Sequence, residues 1–207
     1  MSPLPGGPLA GVLLAGGASR RMGRPKAALP WRDEPFAARI ARLMRAAGVD
    51  PLVVVTGLHD AETRAVLPAA LRALVVRNPE PERGQLSSLQ LALAWLEEHA
   101  PETPGALVAL VDHPAVRPET YAALVRAARA PARQVEIALP THHGRRGHPL
   151  VFLRSVWPEI LGADAPDGAR SVVRRAPERV AEIEVDDAGI LRDVDRPADL
   201  ERLAGRG

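Results

Sequence analysis

Three short apolar runs, Gly11 to Ala15, Leu52 to Thr56 and Ala106 to Val111, constrain this chain more than anything else in it. A strand that is apolar at nearly every position has no polar face to turn to water, so it must be covered on both sides. Between these runs lie stretches with helical spacing: Phe36, Ile40, Leu43, Met44 and Ala47 in one, Leu89, Leu93 and Leu96 in another. Buried strands alternating with such helices predict an α/β fold, a three-layer αβα sandwich around a mostly parallel sheet. In sheets of this kind ligands sit outside the carboxyl ends of the strands.

The rest of the chain keeps the same rhythm. Helices are predicted over 61–67 and 121–130, and strands over 74–77, 135–139 and 150–153. Ser87 and Ser88 are natural N-caps for the helix that carries Leu89. Short helices near Val156 and Val172 precede a strand over 180–185, a turn at Asp187-Ala188-Gly189, a strand over 190–194 and a helix from Ala198. With 207 residues, no internal repeat and no long linker, one domain over 1–207 is expected.

Charge and composition exclude several functions. Lys plus Arg is 27 against 25 for Asp plus Glu, and a net charge of +2 is too small for a nucleic-acid scaffold. The absence of cysteine excludes disulfides, thiol nucleophiles and thiolate metal sites. Met1 to Ser19 carries no charge, but it lacks a basic start and is broken by Pro3, Pro5, Gly6, Gly7 and Pro8, so it does not read as a leader. No run approaches the length of a bilayer, and a cytoplasmic protein without membrane attachment is expected.

The strongest local signal is Leu13 to Lys26, where a buried strand runs into a loop with Gly16, Gly17 and Gly23 and four basic side chains, Arg20, Arg21, Arg24 and Lys26. Small residues let backbone N–H groups approach an anion, and the basic groups neutralise it, so a polyphosphate is the expected guest. Gly23 is followed by Arg24, Pro25 and Lys26, not directly by Lys and a hydroxyl residue, which excludes a Walker-type loop. The dinucleotide pattern of three spaced glycines also fails here. Of the 27 basic residues 26 are Arg, and Lys26 alone is Lys. A compact ammonium on a flexible stem suits a moving phosphate oxygen better than a planar guanidinium does.

Asp112 ends a central apolar run, which holds its carboxylate over the ligand crevice, where a hard oxygen ligand suits Mg²⁺ bound to phosphates. The alternative is an Asp that caps the next helix. Asp193 and Asp195 flank Val194, and one of them is expected at the same ion while the other faces away or caps the last helix. Asn78, the single Asn, follows the third strand at the ligand edge. His142, His143 and His148 lack carboxylate or thiolate neighbours in sequence, so a zinc site is not expected, and His148-Pro149 reads as part of a substrate loop. Ser87 and Ser88 lack the setting of a hydrolase nucleophile.

Taken in order, these motifs resemble the molybdenum-cofactor nucleotidyltransferases, a MobA-like NTP transferase family, and especially their cytidylyltransferase branch. The resemblance spans nearly the whole chain: Leu14-Ala15-Gly16-Gly17 through Pro25-Lys26, Leu29-Pro30-Trp31, Val55-Thr56-Gly57, Asn78-Pro79 with Gly84 and Ser87-Ser88, and Asp112-His113-Pro114. It continues through Gly147-His148-Pro149, Asp167-Gly168-Ala169-Arg170 and Asp193-Val194-Asp195-Arg196-Pro197. It implies a nucleotidyltransferase that uses a nucleoside triphosphate and Mg²⁺. Leu14, Ala15, Gly16 and Gly17 then correspond to the segment that reads the base, with Ser19, Thr56, Asn78 and Ser87 as further nucleotide contacts. Arg20 and Lys26 correspond to catalytic phosphate ligands, Asp112 to the catalytic metal ligand, and Gly147, His148 and Pro149 to the loop that faces the pterin.

The implied reaction is attack by a terminal phosphate of the molybdenum cofactor on the α-phosphorus of CTP, with pyrophosphate leaving. Leu-Ala-Gly-Gly is the form typical of the guanylyl branch, so GTP stands as the alternative donor. A sugar phosphate stands as the alternative acceptor. The non-catalytic alternative is a cofactor-binding chaperone. A molybdoenzyme or its chaperone is the implied protein partner.

Overall fold

The computed structural model describes residues 7–17, 19, 21–69, 74–130, 135–164, 168–175 and 177–204. Its strands are β1 (Ala10–Ala15), β2 (Pro30–Trp31), β3 (Glu34–Pro35), β4 (Leu52–Thr56), β5 (Val75–Arg77), β6 (Gly105–Leu110), β7 (Ile137–His142), β8 (Arg145–Arg146), β9 (Leu150–Leu153) and β10 (Val180–Glu184). Its α-helices are α1 (Phe36–Ala46), α2 (Asp60–Val66), α3 (Gln85–His99), α4 (Pro118–Ala128), α5 (Trp157–Leu161), α6 (Gly168–Arg175) and α7 (Pro197–Ala204).

The main sheet runs β5-β4-β1-β6-β9-β7-β10, with β8 paired to β7 as a short hairpin. β1 lies parallel to both β4 and β6, in register through Leu14 with Val55 on one side and Leu110 on the other. β9 alone is reversed between β6 and β7, with Leu150 opposite Val108 and Val151 opposite Ala138. The register sets Leu150 near the carboxyl end of β6, so the residues just before β9 emerge at the same edge as the residues just after β1 and β6.

Alternation along β1 divides its side chains between two cores. Leu13 and Ala15 join Phe36, Ile40, Tyr121 and Leu124 beneath α1 and α4. Val12 and Leu14 join Leu89, Leu93 and Trp157 beneath α3 and α5. This is the expected three-layer αβα architecture. Each fully buried Leu, Ile or Phe contributes about 1.5–3 kcal/mol, so both helical layers are held by the central strands. The indole of Trp157 donates to the Phe152 carbonyl at 3.2 Å, which removes the cost of burying its N–H.

Local chemistry sets the element ends. Pro35 precedes α1, and Gly48 follows it at φ +87°, a left-handed conformation that stops the helix. Pro118 opens α4 three residues before the expected start, because a proline at the first helical position has no N–H to lose. β7 begins at Ile137 and runs on to His142, since the 142–146 hairpin extends it beyond the apolar run.

Two expectations are corrected. Ser87 and Ser88 lie inside the first turn of α3, whose cap position is Gly84 at φ +90°; Ser87 Oγ instead bonds the Gly84 carbonyl at 2.8 Å. The segment 190–194 is not a strand. Ala188–Leu191 forms a 3₁₀ turn, because the buried carboxylate of Asp187 accepts from Gly189 N at 2.9 Å, Arg117 N at 2.8 Å and Thr120 Oγ1 at 2.6 Å. That anchor carries Ile190 and Val194 into the core without pairing their backbone in the sheet.

Candidate active site

At the carboxyl edge of β1, β4 and β6 lies a cavity of about 630 Å³, a volume usual for small-molecule sites. Leu14, Ala15, Gly16 and Gly17 line it, as do Lys26, Asp112 and Asp195, which stand together. Gly16 and Gly57 are glycine for a steric reason. A Cβ on Gly16 would sit 3.1 Å from Ser88 Oγ, and one on Gly57 would sit 2.4 Å from the Gly16 carbonyl oxygen. Gly17 has open space around it and faces outward. The loop is thus packed from behind and open in front, as a surface for an anion or a flat ring must be.

Ser19 shapes the following turn. It adopts φ +50°, its carbonyl accepts from Met22 N at 2.9 Å, and its hydroxyl accepts from Lys26 N at 3.1 Å. The backbone of Lys26 is therefore fixed, while its stem reaches into the cavity. Lys26 Nζ donates to Asp195 Oδ1 at 2.5 Å and to Asp112 Oδ2 at 3.2 Å. Burial opposes its charge, but the hydrogen bond to Asp195 and the charge of Asp112 outweigh that and hold its pKa above the ordinary lysine value. Asp195 is correspondingly lowered, first by its hydrogen bond to Lys26. Arg21 adds a looser ion pair to Asp195 at 3.7 Å.

Backbone bonds bring the two acids together. Val194 N donates to the Asp112 carbonyl at 2.8 Å, and the Asp199 carboxylate accepts from Asp195 N at 3.1 Å and Arg196 N at 2.8 Å. Asp199, and neither Asp193 nor Asp195, satisfies the start of α7. Asp193 is exposed and does not line the cavity, so of the two candidates flanking Val194 it is Asp195 that meets Lys26.

The donor set fits a divalent cation. Asp112 Oδ1 is buried without a hydrogen-bond partner, and a bare carboxylate oxygen in such a place is costly unless a cation meets it. Among the described residues no group of three or more His, Asp or Glu forms a metal cage. Two hard carboxylates without a cage suit an ion whose remaining ligands are phosphate oxygens and water, as Mg²⁺ prefers.

The other expected site residues divide by position. Thr56 is fully buried and does not reach the cavity: its hydroxyl donates to Asp60 at the start of α2. Asn78 is 4% exposed, and its amide donates to Ser88 Oγ at 2.9 Å and Ser87 Oγ at 3.0 Å. Thr56, Asn78 and Ser87 thus stand behind the glycine loop as support, and Ser88 lines the cavity in place of Ser87. Arg20 and Asp167 lie outside the described residues.

Gly147, His148 and Pro149 do not line this cavity but reach the same edge beside Asp112. His148 N donates to the Ile190 carbonyl at 3.0 Å, and a Cβ on Gly147 would strike that carbonyl at 2.4 Å. The His148 and His113 rings lie 5.2 Å apart, and the Nδ1 atom of each is buried without a partner. Burial lowers the pKa of both, that of His148 to about 4, so both rings are neutral at physiological pH. His142 and His143 pack on each other in the β7–β8 hairpin, and His142 Nδ1 bonds the Val185 carbonyl.

Arg21, one of the four basic side chains of the loop, lines the cavity, and sequence reasoning missed Ser88, His59, Glu82 and Gln85 as cavity residues. The Gly84 that precedes Gln85 was the available signal, since a left-handed glycine before a helix brings backbone close to a ligand.

A model of the MobA-like NTP transferase domain matches residues 11–180 of the chain. Nicotine blue oxidoreductase of Paenarthrobacter nicotinovorans is 33% identical over 93% of this chain and 95% of that protein. A probable molybdenum cofactor guanylyltransferase of Deinococcus radiodurans is 27% identical over 97% of this chain and 96% of its own length. Among solved structures, Rv0371c from Mycobacterium tuberculosis H37Rv superposes with a TM-score of 0.81 at 30% identity, covering 97% of this chain and 100% of that one. Its complex with manganese superposes with a TM-score of 0.79 at 28% identity and the same coverage. Among the described residues no helix is long and apolar enough to cross a membrane.

Proposed function

The chain belongs to the MobA-like NTP transferase domain family, and on that premise we propose that it moves CMP from CTP onto the terminal phosphate of the molybdenum (molybdopterin) cofactor, as one domain that releases pyrophosphate. One observation carries the reading: Lys26, Asp112 and Asp195 meet beside an open glycine loop although they are far apart in sequence. In this reaction an acceptor phosphate oxygen forms a bond to the α-phosphorus, and the α–β bridging bond breaks in line with it.

Both partners are anions, so the protein's task is to position them and to screen charge. Gly16 and Gly17 present backbone to the donor nucleotide. Lys26 reaches the phosphates, and the family resemblance gives Arg20, earlier in the sequence, the same role. Asp112 and Asp195 would hold a divalent ion, Mg²⁺ or Mn²⁺, which when bound neutralises the triphosphate and the leaving pyrophosphate. The Rv0371c–manganese complex supports this metal class. Gly147, His148 and Pro149, next to Asp112, face the acceptor, and two neutral imidazoles there offer hydrogen bonds without adding charge.

A second reading, transfer of GMP from GTP to the same acceptor, is favoured by Leu14-Ala15-Gly16-Gly17 and by the guanylyltransferase name of the Deinococcus relative. The test is pyrophosphate release with each of the four triphosphates, with and without molybdenum cofactor. Release that needs the cofactor supports the proposal, and the triphosphate used fixes the base. Tight triphosphate binding with no release under any condition would make the chain a carrier and end the catalytic reading.

A further inference from the structure

We infer that Lys26 is the resident cation of the Asp112–Asp195 pair, that a divalent ion takes both acids only when a triphosphate draws the ammonium away, and that metal and nucleotide therefore enter as one unit. The identity of the nucleotide rests on the proposed transfer reaction; the competition between ammonium and metal does not.

The geometry is that of an occupied cation site. Lys26 Nζ lies 2.5 Å from Asp195 Oδ1 and 3.2 Å from Asp112 Oδ2, and its side chain is 14% exposed. Two carboxylates and one ammonium leave a single net negative charge, which the looser, exposed Arg21 guanidinium 3.7 Å from Asp195 offsets further. A divalent ion added to that pair without the ammonium's departure would stand beside it as a like charge in a partly buried place. The ion must therefore displace it.

Alone, a metal ion offers Lys26 no anion to move to, so the lysine loses both of its charge-assisted hydrogen bonds. A triphosphate seated on Gly16 and Gly17 changes the exchange, because its oxygens receive the ammonium as the metal takes the acids. The local structure permits this with little rearrangement. Lys26 is anchored at its backbone by Ser19 Oγ and by the Leu29 N–H, so only the flexible stem needs to swing. A guanidinium locked to carboxylates by its planar fork would not exchange so readily, and this is the one basic position of 27 where the chain keeps a Lys. The coupling is reciprocal: nucleotide must tighten metal as much as metal tightens nucleotide.

The single lysine makes the test direct. Protein labelled with ¹⁵Nζ-lysine gives one side-chain ammonium signal. Millimolar Mg²⁺ alone is expected to leave it in place, and Mg²⁺ with a non-hydrolysable CTP or GTP analogue to shift it. Electron paramagnetic resonance of Mn²⁺ without nucleotide is expected to show about tenfold or more tighter binding to Lys26→Met than to wild type, a gain abolished by adding Asp195→Asn. A shift with Mg²⁺ alone, or Mn²⁺ affinity unchanged by Lys26→Met, overturns the inference. If neither analogue moves the signal, the joint entry of metal and nucleotide is overturned even where Lys26→Met tightens Mn²⁺, and pyrophosphate release then decides the transfer reading separately. If Lys26→Met does not fold, the labelled wild type decides the matter alone.

Discussion

Asn78 Nδ2 lies 2.9 Å from Ser88 Oγ, and that bond ties the end of β5 to the helix that walls the cavity. The same amide reaches Ser87, its carbonyl oxygen accepts from Glu80 N at 2.9 Å, and Ser88 Oγ in turn abuts Gly16. Asn78→Ala removes this partner from Ser88, which is buried, and leaves Ser87 with its bond to the Gly84 carbonyl. Urea unfolding should show a loss of about 1–3 kcal/mol, and KM for the triphosphate should rise more than kcat falls. Unchanged stability and KM would remove Asn78 from the support of the loop.

Gly57→Ala tests the packing behind that loop. The added methyl meets the Gly16 carbonyl oxygen at 2.4 Å, too close for backbone to tolerate unmoved. Triphosphate affinity measured by calorimetry should fall about tenfold or more, on the scale set by a misplaced positioning group. Wild-type affinity would mean that the loop yields freely and that its position is not set from behind.

On the proposed reaction, Lys26→Ala and Asp112→Ala would each remove one electrostatic element beside the developing charge. Either change should lower kcat for pyrophosphate release by about a hundredfold or more. Near-normal turnover in either variant contradicts the assignment.

Asp187 caps the 188–191 turn and ties it to Arg117 and Thr120, 70 and 67 positions away in sequence. It is 3% exposed, and its oxygens accept from Arg117 N, Thr120 Oγ1 and Gly189 N. Asp187→Ala strands those donors and should cost about 3 kcal/mol in urea unfolding. Because the turn leads to Val194 and Asp195, the surviving folded protein should also bind Mg²⁺-nucleotide more weakly. A variant as stable as wild type would refute this anchor.

The buried imidazoles give stability a definite slope with pH. The His148 pKa is pushed down to about 4, first by burial and then by the neighbouring His113 and Arg170 charges. An unfolded chain with an ordinary histidine binds the proton more readily, so folded stability is retained above about pH 6.5 and lost as pH falls toward about 4. Urea unfolding at about pH 7 and about pH 4.5 should differ by roughly 1–3 kcal/mol more in wild type than in His148→Gln. Equal slopes would show that His148 titrates normally.

What sequence made legible was what is locally encoded. Leu52–Thr56 and Leu150–Leu153 match their expected bounds because Pro51 and Pro149 mark their starts. The glycine loop and Asp112 announce themselves by composition and by their place after buried strands. The misreadings are tertiary. Ile190, Leu191 and Val194 carry the apolar spacing of a strand, yet the Asp187 carboxylate, bonded to Thr120 67 positions away, folds 188–191 into a turn. Ser87 and Ser88 carry cap chemistry, but the sharp bend at Gly84 starts the helix earlier and the Asn78 amide claims both hydroxyls. The choice between Asp193 and Asp195 depended on which one meets Lys26, 169 residues from Asp195, and no local pattern carries that.

The backward run of β9 has a practical corollary. It delivers His148 from ahead of a strand to the rim that Gly17 and Asp112 reach from behind theirs, so on the proposed reaction donor and acceptor would both be approached from a single side. A tethered inhibitor joining a nucleotide to an acceptor mimic would never have to thread the sheet. Attaching the opposite rim to a bead or a fusion partner would leave that doorway clear.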